Sequence, residues 1–182
     1  MKYFERIKSG LDVKSLLDEI DSVPNAWDLS RGRQEKIAVQ REAESIPIRG
    51  LVKSRIGDRK RRDVHESRFT SSARYFPLIT RLLEEFAREQ RAQMSRAKVV
   101  RLKPGRRVYP HIDQGDYYRL RDRYHLILQS ANGSYLKSGD EEVRMREGEL
   151  WRFDNKQVHE AYNDGELDRI HLIFDLLPQP GA

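Results

Sequence analysis

Cysteine is absent from the 182 residues. That excludes disulfide scaffolds, thiolate-held zinc or iron–sulfur centres and thiol nucleophiles. Any metal must be held by His, Asp or Glu. Long apolar runs are absent as well: nothing approaches the ~18 residues of a membrane span. Met1-Lys2-Tyr3-Phe4-Glu5-Arg6 lacks the apolar stretch and cleavage site of a signal peptide. The expectation is a protein without a membrane partner, with the cytoplasm as default location. No internal repeat, low-complexity tract or glycine-rich phosphate loop occurs. What remains is 37% hydrophobic and 35% charged, polar but sufficient for one core and unlike a disordered chain. The length accommodates one ordinary domain, or a domain with a small appendage.

The net charge is +6, and it is unevenly spread. Residues 97–182 hold 14 basic and 14 acidic side chains, whereas Arg31 to Arg68 holds 12 basic and 6 acidic. The densest part runs from Lys53 to Arg62. Such a patch suits an acidic small molecule, an acidic protein or nucleic acid, although charge runs are commonly only solvated surface.

Two helices are predicted. Val13, Leu16, Leu17 and Ile20 have helical spacing after Asp12, a candidate N-cap, and the segment stops before Pro24. Pro77 suits a first helical position, and Leu78, Leu82, Leu83, Phe86 and Ala87 form a stripe reaching about Ala92. Ile46-Pro47-Ile48 reads as extended. After Arg96 the texture changes to short apolar runs split by turn signals. Strands are expected near 98–102, 107–111, 123–129, 134–137, 142–145, 149–154, 159–162 and 169–177. Asn132-Gly133 is the sharpest hairpin signal. Eight short strands at this spacing predict a jelly roll or small barrel. The predicted organisation is one compact, mainly β unit. Residues 1–96 form a helical or mixed portion on the outside of the barrel, bordering its mouth, and residues 97–182 form the core.

Four of the five histidines lie in these strands. In an extended chain residues i and i+2 share a face, so His111 and Asp113 can address one metal. His159 lies 48 residues on, after Gly148-Glu149-Leu150-Trp151-Arg152-Phe153-Asp154. Two histidines and one carboxylate make the facial triad of non-haem Fe(II) oxygenases, which leaves coordination positions open for a co-substrate and O2. Asp116 is a second-choice carboxylate, off the i, i+2 register, and His65 reads as a loop residue. Arg169 and His171 share a face of the last strand, as do Arg123 and His125 of an earlier one, while Ile170, Leu172, Phe174 and Leu176 take the other face of the last strand. Cationic faces turned into the barrel would be costly without an anion. A dianion satisfies them, and an arginine fork suits a carboxylate. The plainer reading of His125 and His171 is that of satisfied core histidines.

Taken in order, Lys103-Pro-Gly-Arg-Arg-Val-Tyr-Pro-His111-Ile-Asp113, Arg123-Tyr-His125-Leu, Gly148 to Asp154, His159-Glu160 and Arg169-Ile-His171-Leu-Ile-Phe-Asp175 resemble the aspartyl/asparaginyl β-hydroxylase family. The resemblance runs from about Lys98 to Pro178. It implies a double-stranded β-helix and an Fe(II)- and 2-oxoglutarate-dependent hydroxylase, with O2 as second co-substrate and succinate and CO2 as products. It further implies that His111 and His159 bind iron, that Arg169 pairs with the distal carboxylate of 2-oxoglutarate, and that Arg123 and His125 lie near its metal-binding end. The sequence departs from the animal namesake in three ways. Asp113 supplies a carboxylate ligand that the namesake lacks. A co-substrate-binding serine of the namesake falls near Val100. The namesake's helical-repeat and membrane-anchored regions have no counterpart here, so its protein substrate does not transfer. Members with short N-terminal regions act on free amino acids or small molecules.

The expected activity is therefore hydroxylation of an amino acid, of an Asp/Asn-type side chain in a peptide, or of a related small anionic substrate. Two other classes match parts of the sequence. A cupin-like metalloenzyme without 2-oxoglutarate is suggested by His159-Glu-Ala-Tyr-Asn163, but the His-x-His of a first cupin motif is missing. A nucleic-acid or acidic-protein binding module on an inactive barrel is suggested by Lys53–Arg62, but that run lacks the interleaved aromatics of single-strand binders.

Overall fold

The computed structural model describes residues 1–29, 38–130 and 132–179. All eight predicted strands are present. They are β4 (Ala92–Leu102), β5 (Arg107–His111), β6 (Asp122–Gln129), β7 (Ser134–Ser138), β8 (Glu141–Val143), β9 (Leu150–Phe153), β10 (His159–Asn163) and β11 (Arg169–Pro178). Three more precede them: β1 (Phe4–Lys8), β2 (Glu44–Leu51) and β3 (Ser67–Phe69). They form two antiparallel sheets, a seven-stranded one ordered β1-β9-β6-β11-β4-β2-β3 and a four-stranded one ordered β5-β10-β7-β8. The two sheets face each other as a jelly roll, the double-stranded β-helix.

The first half is less helical than its texture suggests. It gives three strands to the larger sheet, and the expected division at residue 96 falls inside β4. The reason is local. Only Phe4 of β1 and no residue of β3 is fully buried, so neither shows the alternation that marks a half-buried strand.

Helix α1 (Lys14–Ser22) starts where Asp12 Oδ1 accepts the Lys14 N–H at 3.1 Å, and buries Leu16 and Ile20. Helix α2 (Pro77–Glu89) has Pro77 at its start and buries Ile79, Leu83, Phe86 and Ala87. Its free first-turn N–H groups are satisfied from α1: the buried Glu19 carboxylate accepts from Leu78 at 2.7 Å and Ile79 at 3.1 Å. A carboxylate at a helix N-terminus also suits the helix dipole. The helices cover one face of the larger sheet.

Strand β11 separates the two interiors. Ile170, Leu172, Phe174 and Leu176 join Leu83, Phe86, Ile46 and Leu126 in a core between helices and sheet. A second core between the sheets holds Val100, Leu102, Ile127, Leu136 and Phe153. Because side chains alternate along a strand, Arg169, His171, Ile173 and Asp175 point the other way, into the space between the sheets. This alternation matches the sequence reading and turns charged groups inward.

Candidate active site

His111 and His159 are direct partners across β5 and β10, with ring centroids 4.2 Å apart. Each ring is held by the same local device. His111 Nδ1 lies 2.7 Å from the Tyr109 carbonyl, and His159 Nδ1 lies 3.0 Å from the Gln157 carbonyl. A carbonyl only accepts, so Nδ1 carries the proton and Nε2 keeps its lone pair. Asp113 follows just beyond the end of β5, where its N–H donates to the Asn155 carbonyl at 3.2 Å. Its Oδ1 is 3.9 Å from His111 Nε2 and its Oδ2 is 3.8 Å from His159 Nε2. The three donors converge within 4.8 Å of one another. That set, two neutral imidazoles and a carboxylate, fits a first-row divalent ion with positions left open. Burial pushes His159 down to about 4, which keeps it a neutral ligand. Burial opposes ionisation of Asp113, but the Arg123 charge, with His159 and the Asn155 bond, outweighs it and holds the carboxyl below its usual range.

The resemblance implies that Arg123 lies near the metal-binding end of the co-substrate. It lines the cavity, but its guanidinium is committed to two carboxylates. Nε and Nη2 fork onto Asp175 at 2.8 and 3.1 Å, and Nη1 donates to Asp113 Oδ2. Direct register sets this up, since Asp175 lies opposite Arg123 across β11 and β6.

Arg169 is the opposite case. It is 2% exposed and lines the cavity beside His125. Its Nε and Nη2 have no partner among the described residues. Burial lowers it to about 9. An unpaired guanidinium in a closed interior costs several kcal/mol (on the order of 3–5), and an entering carboxylate removes that cost. A cavity with an unpartnered guanidinium suits an anion, and the dianionic 2-oxoglutarate predicted from sequence is of that kind.

His125 lines the cavity; His171 does not. His171, which shares the inward face of its strand with Arg169, is thus set back from the space offered to a co-substrate. It sits behind His125, with Nδ1 3.2 Å from His125 Nδ1. Burial holds both rings neutral, far below the usual imidazole range, with the Arg169 charge adding to it. His171 Nε2 is buried without a partner. A bare lone pair there costs less than an orphaned N–H. His171 Nδ1 therefore donates, and His125 keeps its proton on Nε2 as a donor.

Val100, near which the namesake's co-substrate-binding serine falls, forms an apolar part of the wall. Ser45, its partner across β2 and β4, lines the same cavity. Gln40 and Ala43 of the first half also line it. Among the described residues, no arginine of the basic stretch lines it. Arg31 and Arg33 lie outside the described residues. Arg49 bonds to the Ser95 and Ser67 carbonyls at 2.9 Å each, and Arg55 and Arg68 are exposed. Lys53 to Arg62 forms exposed turns. One of them packs on the loop after Asp113, where a Cβ on Gly115 (φ +108°) would lie 2.6 Å from Asp63 Oδ1 and 2.8 Å from the Arg62 carbonyl. Asp116 is exposed and pairs with Arg119, away from the metal donors. His65 accepts from Arg121 at 3.0 Å.

Three residues of the site escape sequence reasoning. Asn155 reads as a turn residue, yet it is 1% exposed and donates from Nδ2 to Asp113 Oδ2 at 3.0 Å. Asp175 reads as the polar end of a strand. Tyr117 reads as packing, but its buried hydroxyl donates to Asp175 Oδ2 at 3.0 Å. The one available signal was the period of β11, which puts Asp175 on the same face as Arg169.

A jelly roll with two histidines and a carboxylate at one end, and an unpaired arginine deeper in, defines a class: metal-dependent enzymes of the double-stranded β-helix type. The chain belongs to the aspartyl/asparaginyl β-hydroxylase family, whose model matches residues 33–178. Among characterised relatives it is similar to L-proline cis-3-hydroxylase 1 of Streptomyces sp, 31% identical over 124 residues, which is 65% of this chain and 42% of that protein. L-proline cis-3-hydroxylase 2 of Streptomyces sp is 34% identical over 71 residues, 37% of this chain and 24% of that protein. The matched segments thus span less than half of these relatives. In fold the chain is similar to a 2OG-Fe(II) oxygenase family oxidoreductase from Burkholderia pseudomallei (13% identity, 93% and 92% of the two chains, TM-score 0.58). It is also similar to the viral collagen prolyl hydroxylase of Paramecium Bursaria Chlorella virus-1 (15% identity, 97% and 96%, TM-score 0.55).

Proposed function

We propose that this protein is an Fe(II)- and 2-oxoglutarate-dependent hydroxylase of a small substrate bearing a carboxylate, with a free amino acid as the leading class. The observation that carries the reading is the convergence of His111, Asp113 and His159 on one point, with both histidines lining the cavity that holds the buried Arg169, whose Nε and Nη2 have no partner among the described residues. Bound iron and 2-oxoglutarate would supply the oxidising chemistry, coupling O2 reduction and loss of CO2 to hydroxylation of a substrate C–H bond.

The chain's own residues supply position and environment. His111, Asp113 and His159 hold the ion on one side, through nitrogens freed by the Tyr109 and Gln157 carbonyls. Arg169 anchors the far carboxylate of the co-substrate and fixes its orientation toward the metal. The His125 Nε2–H and the Ser45 hydroxyl add neutral donors to the same cavity. Val100, Leu136, Phe153 and Ile173 form its apolar wall and keep water out. The relatives named as proline hydroxylases put L-proline first among candidates.

The test is succinate release from 2-oxoglutarate with Fe(II), O2 and a panel of free amino acids and short acidic peptides. Substrate-dependent release above the uncoupled background is expected for at least one free amino acid, with a hydroxylated product by mass spectrometry. Metal-loaded protein that fails to bind 2-oxoglutarate would end this reading in favour of another cupin-type enzyme.

A further inference from the structure

Behind the metal donors lies a buried chain of ion pairs, Asp113–Arg123–Asp175, to which the reaction as proposed gives no role. Asp113 Oδ2 takes two donors, Arg123 Nη1 and Asn155 Nδ2, so it has spent both in-plane lone pairs. Only Oδ1 remains for a metal. Arg123 is in turn gripped from the far side by the Nε/Nη2 fork onto Asp175. Asp175 is 2% exposed and takes a third donor, the Tyr117 hydroxyl. Tyr117 is itself fixed, since its oxygen accepts the Arg96 N–H at 2.8 Å and its ring is fully buried between the Arg96 and Arg121 guanidiniums.

The charges make this more than packing. Asp113 with Arg123 alone is neutral, and a buried guanidinium so close would draw the carboxylate's negative charge away from a cation. Asp175 offsets that guanidinium and leaves the cluster of three with one net negative charge facing the metal donors. Its fork also stops Arg123 from turning, and so fixes which oxygen of Asp113 is free.

We propose that Asp175 is a positioning residue for the metal centre: acting through Arg123, and held by Tyr117, it presents Asp113 Oδ1 to the ion and keeps the site net negative. The inference rests on the reading of His111, Asp113 and His159 as metal ligands.

The test is binding of Co(II), titrated anaerobically into metal-free protein and read by visible absorbance and calorimetry. This readout is independent of turnover. Three variants are compared with the unmodified protein: His111→Ala, Asp175→Asn and Tyr117→Phe. Asp175→Asn keeps the shape of the side chain and removes its charge. It is expected to weaken Co(II) binding about 10–100-fold, the range seen when outer-shell partners of metal ligands are lost. Tyr117→Phe, which loses one hydrogen bond and no charge, is expected to weaken it about 2–5-fold. A merely structural Asp175 would lower the melting temperature of the metal-free protein and leave Co(II) affinity unchanged; that result overturns the proposal. If Asp175→Asn does not fold, Tyr117→Phe decides, and unchanged affinity there overturns it as well. If the unmodified protein and His111→Ala take up Co(II) equally, the metal reading itself fails, a different outcome from failure of Asp175 alone.

Discussion

Arg169 and Arg123 show how two buried arginines of one cavity acquire different roles. Both are inward-facing on neighbouring strands of the larger sheet. Arg123 has two carboxylates within reach, and these hold it charged, raising it well above its ordinary value although burial opposes this. Arg169 has none among the described groups that bond to its Nε and Nη2, and it is lowered. One is therefore complete within the protein, and the other is complete only with a ligand. Arg169→Leu is expected to leave the metal-free fold as stable as before, or more so, because an uncompensated charge disappears. The same change should weaken 2-oxoglutarate binding at least ~100-fold, from charge-assisted bonds worth about 1.5–3 kcal/mol each. Calorimetry of 2-oxoglutarate with Co(II)-loaded protein measures this. Unchanged affinity would remove Arg169 from the co-substrate site.

Strand β11 and helix α2 divide labour between the two faces of the larger sheet. Leu83 of α2 is 0% exposed in the core on the helix side, whereas the metal donors lie between the sheets. Leu83→Ala is expected to cost about 2–5 kcal/mol of stability through lost burial and the cavity left behind. Co(II) affinity should remain within about twofold, because the sheet separates the two interiors. Thermal denaturation and metal titration of one variant check both halves. A tenfold loss of metal affinity in a folded Leu83→Ala protein would show that α2 does more than cover the sheet. At this scale the sequence was legible where the period was long. The alternation in β11, the stripe of α2 and the His-x-Asp spacing all survive in the structure. β1 and β3 were not legible, because edge strands with little burial carry no alternating pattern.

For the molecule as a whole, three neutral imidazoles in one interior predict a pH dependence with a definite sign. Burial lowers His125, His159 and His171 below the ordinary imidazole value near 6.5. In the unfolded chain each takes up a proton as pH falls through that value, while the folded protein does not; for His159 this persists down to about 4. The unfolded state thus binds more protons, and stability falls with falling pH below about 6.5. Each group contributes up to roughly 1.4 kcal/mol per pH unit in that window. The melting temperature of the metal-free protein is expected to be level from pH 8 to 7 and to drop steadily from pH 6 to 5. A flat profile across pH 8 to 5 would mean that these rings are not buried neutral. The net charge of +6 adds self-repulsion of the same sign as acid protonates the carboxylates.

Residue types and periods pointed to a jelly roll with helices beside it, to His111, Asp113 and His159 as candidate donors, and to Arg169 and His171 on one strand face. These features are readable because they depend on local spacing: two residues along a strand share a face wherever that strand is placed. Pairing across strands has no such local record. That Asp175 lies opposite Arg123, that Asn155 reaches Asp113, that His171 stands behind His125 and that Ser45 stands beside Val100 all follow from strand order and register. The tertiary structure alone decided which cation was already satisfied and which still needs an anion. The reason is physical: the cost of a buried charge depends on the partners that surround it in space, and strands distant in the chain supply those partners.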